Sequence, residues 1–194
     1  MFGKTSVLPF IINSPVKMRL QQLLHAVLLF ASSALAAPSC KANAKADAAK
    51  AQAHFSKKCA DFASTLVVEN GIIDGSYFVP AGTNFSAPVY DPSCSAALTP
   101  IVVPIARDLC RLVLNVTTSQ RSAIRMEAWL PANWTGRFLS TGNGGLNGCI
   151  AYTDLSYTSG LGFAAVSTNN GHDGNKGISF YKNPDSVQDF AYRA

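Results

Sequence analysis

No G-x-S-x-G pentapeptide occurs anywhere in the 194 residues. The sharp strand-to-helix turn that exposes an activated serine is therefore missing. Cys94-Ser95 is followed by Ala-Ala-Leu, which has no glycine to make such a turn. Histidine is scarce: of three, only His54 and His172 follow residue 36, and neither has an obvious nucleophile beside it in sequence, as a triad requires. No two cysteines form a C-x-x-C pair, which argues against a thioredoxin-like redox centre and a zinc ribbon. Neither G-x-G-x-x-G nor G-x-x-x-x-G-K-[ST] is present, so the usual nucleotide-binding fingerprints are absent. No internal repeat is visible, and no basic stripe interleaved with aromatics marks a nucleic-acid surface.

What is there has ordinary globular composition, 48% hydrophobic and 14% charged. Residues 1–36 read differently. Met18-Arg19 precedes an apolar run from Leu23 to Ala31, and Ala34-Leu35-Ala36 gives an A-x-A cleavage signal. The run is too short to span a bilayer, so the segment is expected to be a signal peptide that leaves no membrane anchor. Pro9 and Pro15 around Phe10-Ile11-Ile12 are unusual for such a leader. Met18 is therefore a candidate start, with Met1 to Lys17 an N-terminal extension. Removing Lys4, Lys17 and Arg19 with the leader takes the 16 basic residues to 13 against 11 acidic, a balance of +2. The formal +5 is thus no nucleic-acid footprint.

All five cysteines, Cys40, Cys59, Cys94, Cys110 and Cys149, follow the leader. In a secreted chain they read as disulfides. Four can pair in three ways, and the odd one implies a partner outside the chain. Three N-x-S/T sequons, at Asn84, Asn115 and Asn133, are candidate glycosylation sites and fit the same secreted reading.

Along the mature part, Cys40 to Ser64 is rich in Ala, Lys and Asp and is expected to form one helix. Leu66 to Asn70 is a short β-like run, continued after a turn by Gly71 to Val79. Pro88 to Pro100 is a Pro/Ser-rich loop that carries Cys94. Leu112, Leu114 and Val116 then share one face of a strand over Leu109 to Thr117. Ile124, Met126, Ala128 and Leu130 do the same over Ser122 to Leu130. Arg137 to Thr141 is a third strand, and it runs into Gly142-Asn143-Gly144-Gly145, which no ordinary strand tolerates. Gly162 to Thr168 is nearly all apolar and is expected to be buried on both faces. Pro184 to Ala194 begins a helix, with Asn183 as its N-cap. Strands first, then a buried strand followed by a helix, read as the opening of an α/β sheet whose later strands lie elsewhere.

The Gly142–Gly145 run is the most informative feature. Glycine alone suits a tight turn or bulge. It also suits an oxyanion loop, in which backbone N–H groups point at a developing negative charge and side chains would obstruct the approach. His172-Asp173, between Gly171 and Gly174, is conceivable as a catalytic or ligating pair. The preferred reading is a polar loop in which both side chains fix the backbone by hydrogen bonds. His54 lies in the Lys-rich helix and is expected at the surface.

Five blocks in order resemble the tannase and feruloyl esterase family. They are Ala128-Trp129-Leu130-Pro131 with Asn133-Trp134-Thr135-Gly136-Arg137-Phe138-Leu139; Thr141-Gly142-Asn143-Gly144-Gly145-Leu146-Asn147-Gly148-Cys149-Ile150; Leu161-Gly162-Phe163-Ala164; Thr168-Asn169-Asn170-Gly171-His172-Asp173-Gly174; and Asp189-Phe190-Ala191-Tyr192-Arg193-Ala194. The likeness covers about Cys40 to Ala194 and is strongest from Glu127 onward. Thr135 departs from the family's usual Asn and creates the Asn133 sequon.

The resemblance implies a secreted serine esterase with an α/β-hydrolase core and a lid, acting on ferulate or gallate esters of plant material. It places the nucleophile in a G-C-S-x-G-G turn downstream, with the aspartate, the histidine and a lid bearing a structural calcium site later still. No catalytic or metal-ligating residue is thus expected in this chain, and no other cofactor. What carries over is Gly144 and Gly145, one of whose amides is expected to stabilise the oxyanion. The resemblance also implies that Cys40 pairs with Cys94 and Cys59 with Cys110, leaving Cys149 for a partner elsewhere.

The domain reading that follows is a leader over 1–36 and the N-terminal part of an α/β-hydrolase domain over 37–194, with an incomplete sheet and no lid. The polypeptide alone is expected to be inactive, since oxyanion stabilisation without a nucleophile forms no acyl-enzyme. Two further readings compete: a secreted binding module for aromatic or cell-wall ligands, and a fragmentary gene product. The missing triad favours the module, whereas an open sheet edge, which invites aggregation, argues against it.

Overall fold

The computed structural model describes residues 37–95 and 99–194. The chain divides into two units, Met1–Ala48 and Ala49–Ala194. The expected leader, residues 1–36, lies outside the described residues, as does the side chain of Cys40. The described part of the first unit is helical. The sheet, both disulfides and the glycine loop belong to the second.

Helix α1, Ala37–Thr65, is an alanine-rich stretch without glycine, and alanine has the strongest intrinsic helix preference. Phe55, Cys59 and Phe62 recur at helical spacing and form its inward stripe. Phe55 meets Phe78 edge-on at 6.0 Å. Cys59 is bonded to Cys110, with Cα atoms 5.4 Å apart. The helix stops where Leu66-Val67-Val68 begins, and the chain then turns through Asn70 in the left-handed region at φ 55°. The expected strand over Leu66–Asn70 does not form, because the chain closes a turn through Gly71 N–H and the Val68 carbonyl (3.0 Å).

Among the described residues seven strands follow: β1 Gly71–Val79, β2 Asn84–Ser86, β3 Val102–Pro104, β4 Leu109–Ser119, β5 Ser122–Pro131, β6 Phe138–Thr141 and β7 Ala164–Thr168. Five make one sheet in the order β1-β4-β5-β7-β6, and β2 and β3 form a separate pair. Every pairing in the large sheet is antiparallel except β6 with β7, which run parallel. Helix α2, Tyr152–Gly160, connects β6 to β7, as a parallel crossover requires. Helix α3, Pro184–Gln188, follows, with Asn183 Oδ1 accepting the Ser186 N–H at 3.3 Å as the expected N-cap.

Alternation sorts the two faces. Leu112, Leu114 and Ala128 are buried on one, against Phe62 of α1 and with Val116, Met126, Leu130 and Val166. On the other, Leu109, Trp129 and Ala165 pack with Ile150, with Tyr152 and Leu155 of α2, and with Ala87, Val103 and Ile105 around the β2/β3 pair. Trp129 and Leu155 are fully buried, each contributing roughly 1.5–3 kcal/mol by leaving water. Strand β7 is covered less evenly than expected: Ala165 and Ser167 are fully buried, while Ala164, Val166 and Thr168 remain half-buried.

The second disulfide corrects an expectation. Cys94 is joined to Cys149, with Cα atoms 5.5 Å apart, and not to Cys40. Cys149 therefore has its partner within the chain. The cause is local: the short 3-10 turn Pro92–Cys94 is docked on the loop after β7. There Asn175 donates from its backbone to Ser93 Oγ and from its side chain to the Ser93 carbonyl, both at 2.9 Å. That loop in turn bonds to Gly148, through Gly148 N–H and the Gly174 carbonyl at 2.7 Å.

Candidate active site

Because β6 and β7 run parallel, their carboxyl ends lie at the same edge of the sheet. Open α/β sheets bind ligands outside those ends. Here β6 delivers Gly142–Gly145 and β7 delivers Asn169–Gly174.

The glycine loop is held from behind and open in front. Thr141 Oγ1 donates to the Val166 carbonyl (3.1 Å) and Asn143 Nδ2 to the Thr168 carbonyl (2.9 Å). Asn170 Nδ2 donates to the Asn147 carbonyl (3.1 Å), and Asn147 N–H to the Gly144 carbonyl (3.2 Å). In front, a Cβ added at Gly142, Gly144 or Gly145 would meet nothing within 4 Å. Gly145 has φ +60°, a conformation that favours glycine. The amides of Gly144 and Gly145 form no hydrogen bond among the described residues.

His172 is 6% exposed and sits against the rings of Phe180 and Phe190, at centroid distances of 4.6 and 5.8 Å. Its Nε2 lies 3.0 Å from the Leu146 carbonyl oxygen and its Nδ1 3.3 Å from that of Asn170. Asp173 accepts from Arg125 (2.7 Å) and from Asn169 Nδ2 (3.1 Å). The pair thus fixes backbone and neighbours, as the polar-loop reading expects. His54 is exposed on α1.

Glu127 is completely buried on β5, between β4 and β7. Arg111 Nε donates to its Oε2 (2.7 Å), and a second guanidinium N–H donates to Oε1. Trp129 Nε1–H reaches Oε2 at 3.0 Å and the Tyr152 hydroxyl reaches Oε1 at 2.8 Å. Burial, reinforced by the Glu127 charge, pushes the Tyr152 phenol far above its ordinary range. Burial pulls the Arg111 guanidinium down, but hydrogen bonds and charge from Glu127 hold it above its usual value. The network ties β4, β5 and the start of α2 into one unit.

Asp189, also fully buried, anchors the far side. It accepts from Thr118 Oγ1 (2.7 Å), from the Ser122 hydroxyl and from Arg193 (2.9 Å). Burial pushes its carboxyl up, yet these donors more than offset that and its pKa is lowered.

The sequon residues Asn84 and Asn133 are exposed. Asn115 is half-buried and donates from Nδ2 to Asp74 (2.6 Å). Among the described residues no group of three or more His, Cys, Asp or Glu side chains converges on a metal position, so no calcium ligand is assigned here. Nor, among those residues, is any helix long and apolar enough to cross a membrane.

A mixed sheet with helices on both faces, and a loop of free amides at the carboxyl end of its parallel pair, places the chain in the α/β class. Residues 110–194 match the family model described as tannase and feruloyl esterase, and the chain belongs to that family. Probable feruloyl esterase B-1 of Aspergillus oryzae is 51% identical over 140 residues, which are 72% of this chain and 26% of that protein. Probable feruloyl esterase B-2 of Aspergillus fumigatus is 48% identical over the same shares. The crystal structure of feruloyl esterase B from Aspergillus oryzae is similar with a TM-score of 0.67 at 49% identity, covering 72% of this chain and 27% of that one. The chain spans about a quarter of the length of the curated relatives it matches.

Proposed function

We propose that this chain supplies the oxyanion-binding arm of a secreted serine ester hydrolase of the feruloyl esterase and tannase type. In this reading the fold is the opening of an α/β-hydrolase, the substrates are esters of hydroxylated aromatic acids, and Asn84 and Asn133 are the sequons most open to glycosylation. The observation that carries it is the pair of unpartnered amides at Gly144 and Gly145, directly after a parallel strand and before its crossover helix. That is where α/β-hydrolases place the loop N–H of their oxyanion hole.

The chemistry follows from the geometry. A serine hydroxyl from sequence beyond Ala194 adds to the ester carbonyl, giving its proton to a histidine that also lies beyond. The carbonyl oxygen gains negative charge and meets an N–H that is already aimed and needs no reorganisation. Collapse of the tetrahedral species breaks the bond to the alcohol, which leaves with that proton, and water then releases the aromatic acid by the same steps. Calcium belongs to the lid of this reading and enters no step.

The test begins with the native transcript, read through Ala194. A frame that continues into G-C-S-x-G-G with a later Asp and His, and whose product hydrolyses methyl ferulate or methyl gallate, is the expected result. A stop codon directly after Ala194, or a complete frame whose product hydrolyses neither ester, overturns the enzymatic reading. Either outcome would favour the binding module.

A further inference from the structure

The geometry points to Gly145 as the specific oxyanion donor and to His172 as its positioning residue, acting through two intervening peptide groups. The inference rests on the oxyanion reading of the loop. Both ring nitrogens of His172 face carbonyl oxygens, Nε2 that of Leu146 at 3.0 Å and Nδ1 that of Asn170 at 3.3 Å, and the shorter contact assigns the single proton of the neutral ring to Nε2. The peptide group that holds the Leu146 carbonyl also holds the Asn147 N–H. That N–H donates to the Gly144 carbonyl at 3.2 Å. The peptide group of the Gly144 carbonyl ends in the Gly145 N–H. In a planar trans peptide, C=O and N–H point in opposite directions, so engaging the carbonyl from behind turns the N–H outward. The Gly145 N–H has no partner among the described residues, and the space in front of the loop is open.

The sequence of donors is therefore His172 Nε2–H to Leu146, Asn147 N–H to Gly144, and Gly145 N–H to the incoming oxyanion. Hydrogen bonds in series polarise one another, by roughly 10–30% per bond. The imidazole both fixes the direction of the last donor and strengthens it. The ring itself is well placed for this: it is buried against Phe180 and Phe190, and Gly148 passes directly beneath it. His172 touches no substrate in this arrangement.

Nuclear magnetic resonance on the product of the native reading frame tests the relay. In the wild type the nitrogen-15 spectrum of the ring should show Nε2 protonated; a ring with bare Nε2 overturns the proposal without any variant. His172→Phe keeps the aromatic packing and removes the donor, and the Gly145 amide proton should move upfield. His172→Gln keeps an N–H and should return that signal toward its wild-type position. A Gly145 amide that stays in place in a folded His172→Phe chain also overturns the relay. In the esterase-active product of the native frame, His172→Phe should lower kcat on the order of ten-fold, a part of what loss of a donor costs, with KM unchanged. Loss of rate through KM alone contradicts it. Failure of the relay is distinct from failure of the oxyanion reading: the latter falls if Gly144→Val leaves the rate intact, whereas an unmoved Gly145 amide sinks only the role of His172.

Discussion

Gly148 lies so close under His172 that a Cβ on it would stand 2.2 Å from the His172 carbonyl oxygen and 2.8 Å from the ring Nε2. Four positions earlier, Gly144 has nothing within 4 Å of the same added atom. The two glycines therefore serve different ends, one packing and one access. Gly148→Ala should destabilise the chain by about 1–3 kcal/mol, because backbone must move to admit the methyl group. Gly144→Ala should stay within about 0.5 kcal/mol of wild type. Denaturant unfolding of both variants checks this, and equal losses would contradict the assignment.

Glu127 is buried without exposure and every donor around it is engaged. Arg111→Met removes the compensating charge and should cost about 3–5 kcal/mol, the range for a buried ion left alone. Tyr152→Phe removes one neutral donor and should cost about 1–3 kcal/mol. Thermal or chemical unfolding that ranked the two the other way would show that the guanidinium is not the dominant partner.

The depressed pKa of Asp189 fixes a direction on the acid side. A carboxyl with a folded pKa below its unfolded value contributes stability that is fully present above about 3.9. That contribution is lost as pH falls through the depressed value. Asp189→Asn should therefore lower stability at neutral pH and flatten its dependence on pH below about 4. Unfolding curves at several acidic pH values compare the two slopes; identical slopes would remove Asp189 from the account.

The disulfide pattern is open to direct mapping. A digest under non-reducing conditions should yield Cys59 linked to Cys110 and Cys94 linked to Cys149. A Cys40–Cys94 peptide would contradict the docking of the Pro92–Cys94 turn beside the glycine loop.

Much of this arrangement is legible in the residues themselves. Period-two alternation in Leu112, Leu114, Val116 and in Ile124, Met126, Ala128, Leu130 marks β4 and β5, whose alternate apolar residues gather on one face of the sheet, although β5 is buried at Glu127 and Trp129 on its other face as well. The break from Thr141 into Gly142–Gly145 marks the end of β6, since glycine there serves the loop. Other parts are not legible, for physical reasons. Helix α2 has only Tyr152 and Leu155 as buried apolar residues, too few for a helical stripe. The β2 and β3 strands are three residues long and lie next to prolines. Cys94 finds Cys149 through Ser93 and Asn175, a contact across 82 positions that no local pattern announces. The Glu127 network is equally hidden, because Arg111, Trp129 and Tyr152 meet only once β4, β5 and α2 are assembled. For His172, the flanking glycines are the one local signal of a fixed loop, but its partner Leu146 lies on a separate element.

Methyl ferulate hydrolysis by the product of the native reading frame, wild type beside Gly144→Val, decides whether the glycine loop binds the oxyanion. The wild type should hydrolyse the ester. The valine, whose Cβ meets nothing within 4 Å among the described residues, brings two methyl groups to the approach to the amides and should lower kcat/KM on the order of 100-fold with Tm unchanged. Equal rates for the two proteins would show that the loop binds no oxyanion and would contradict the account.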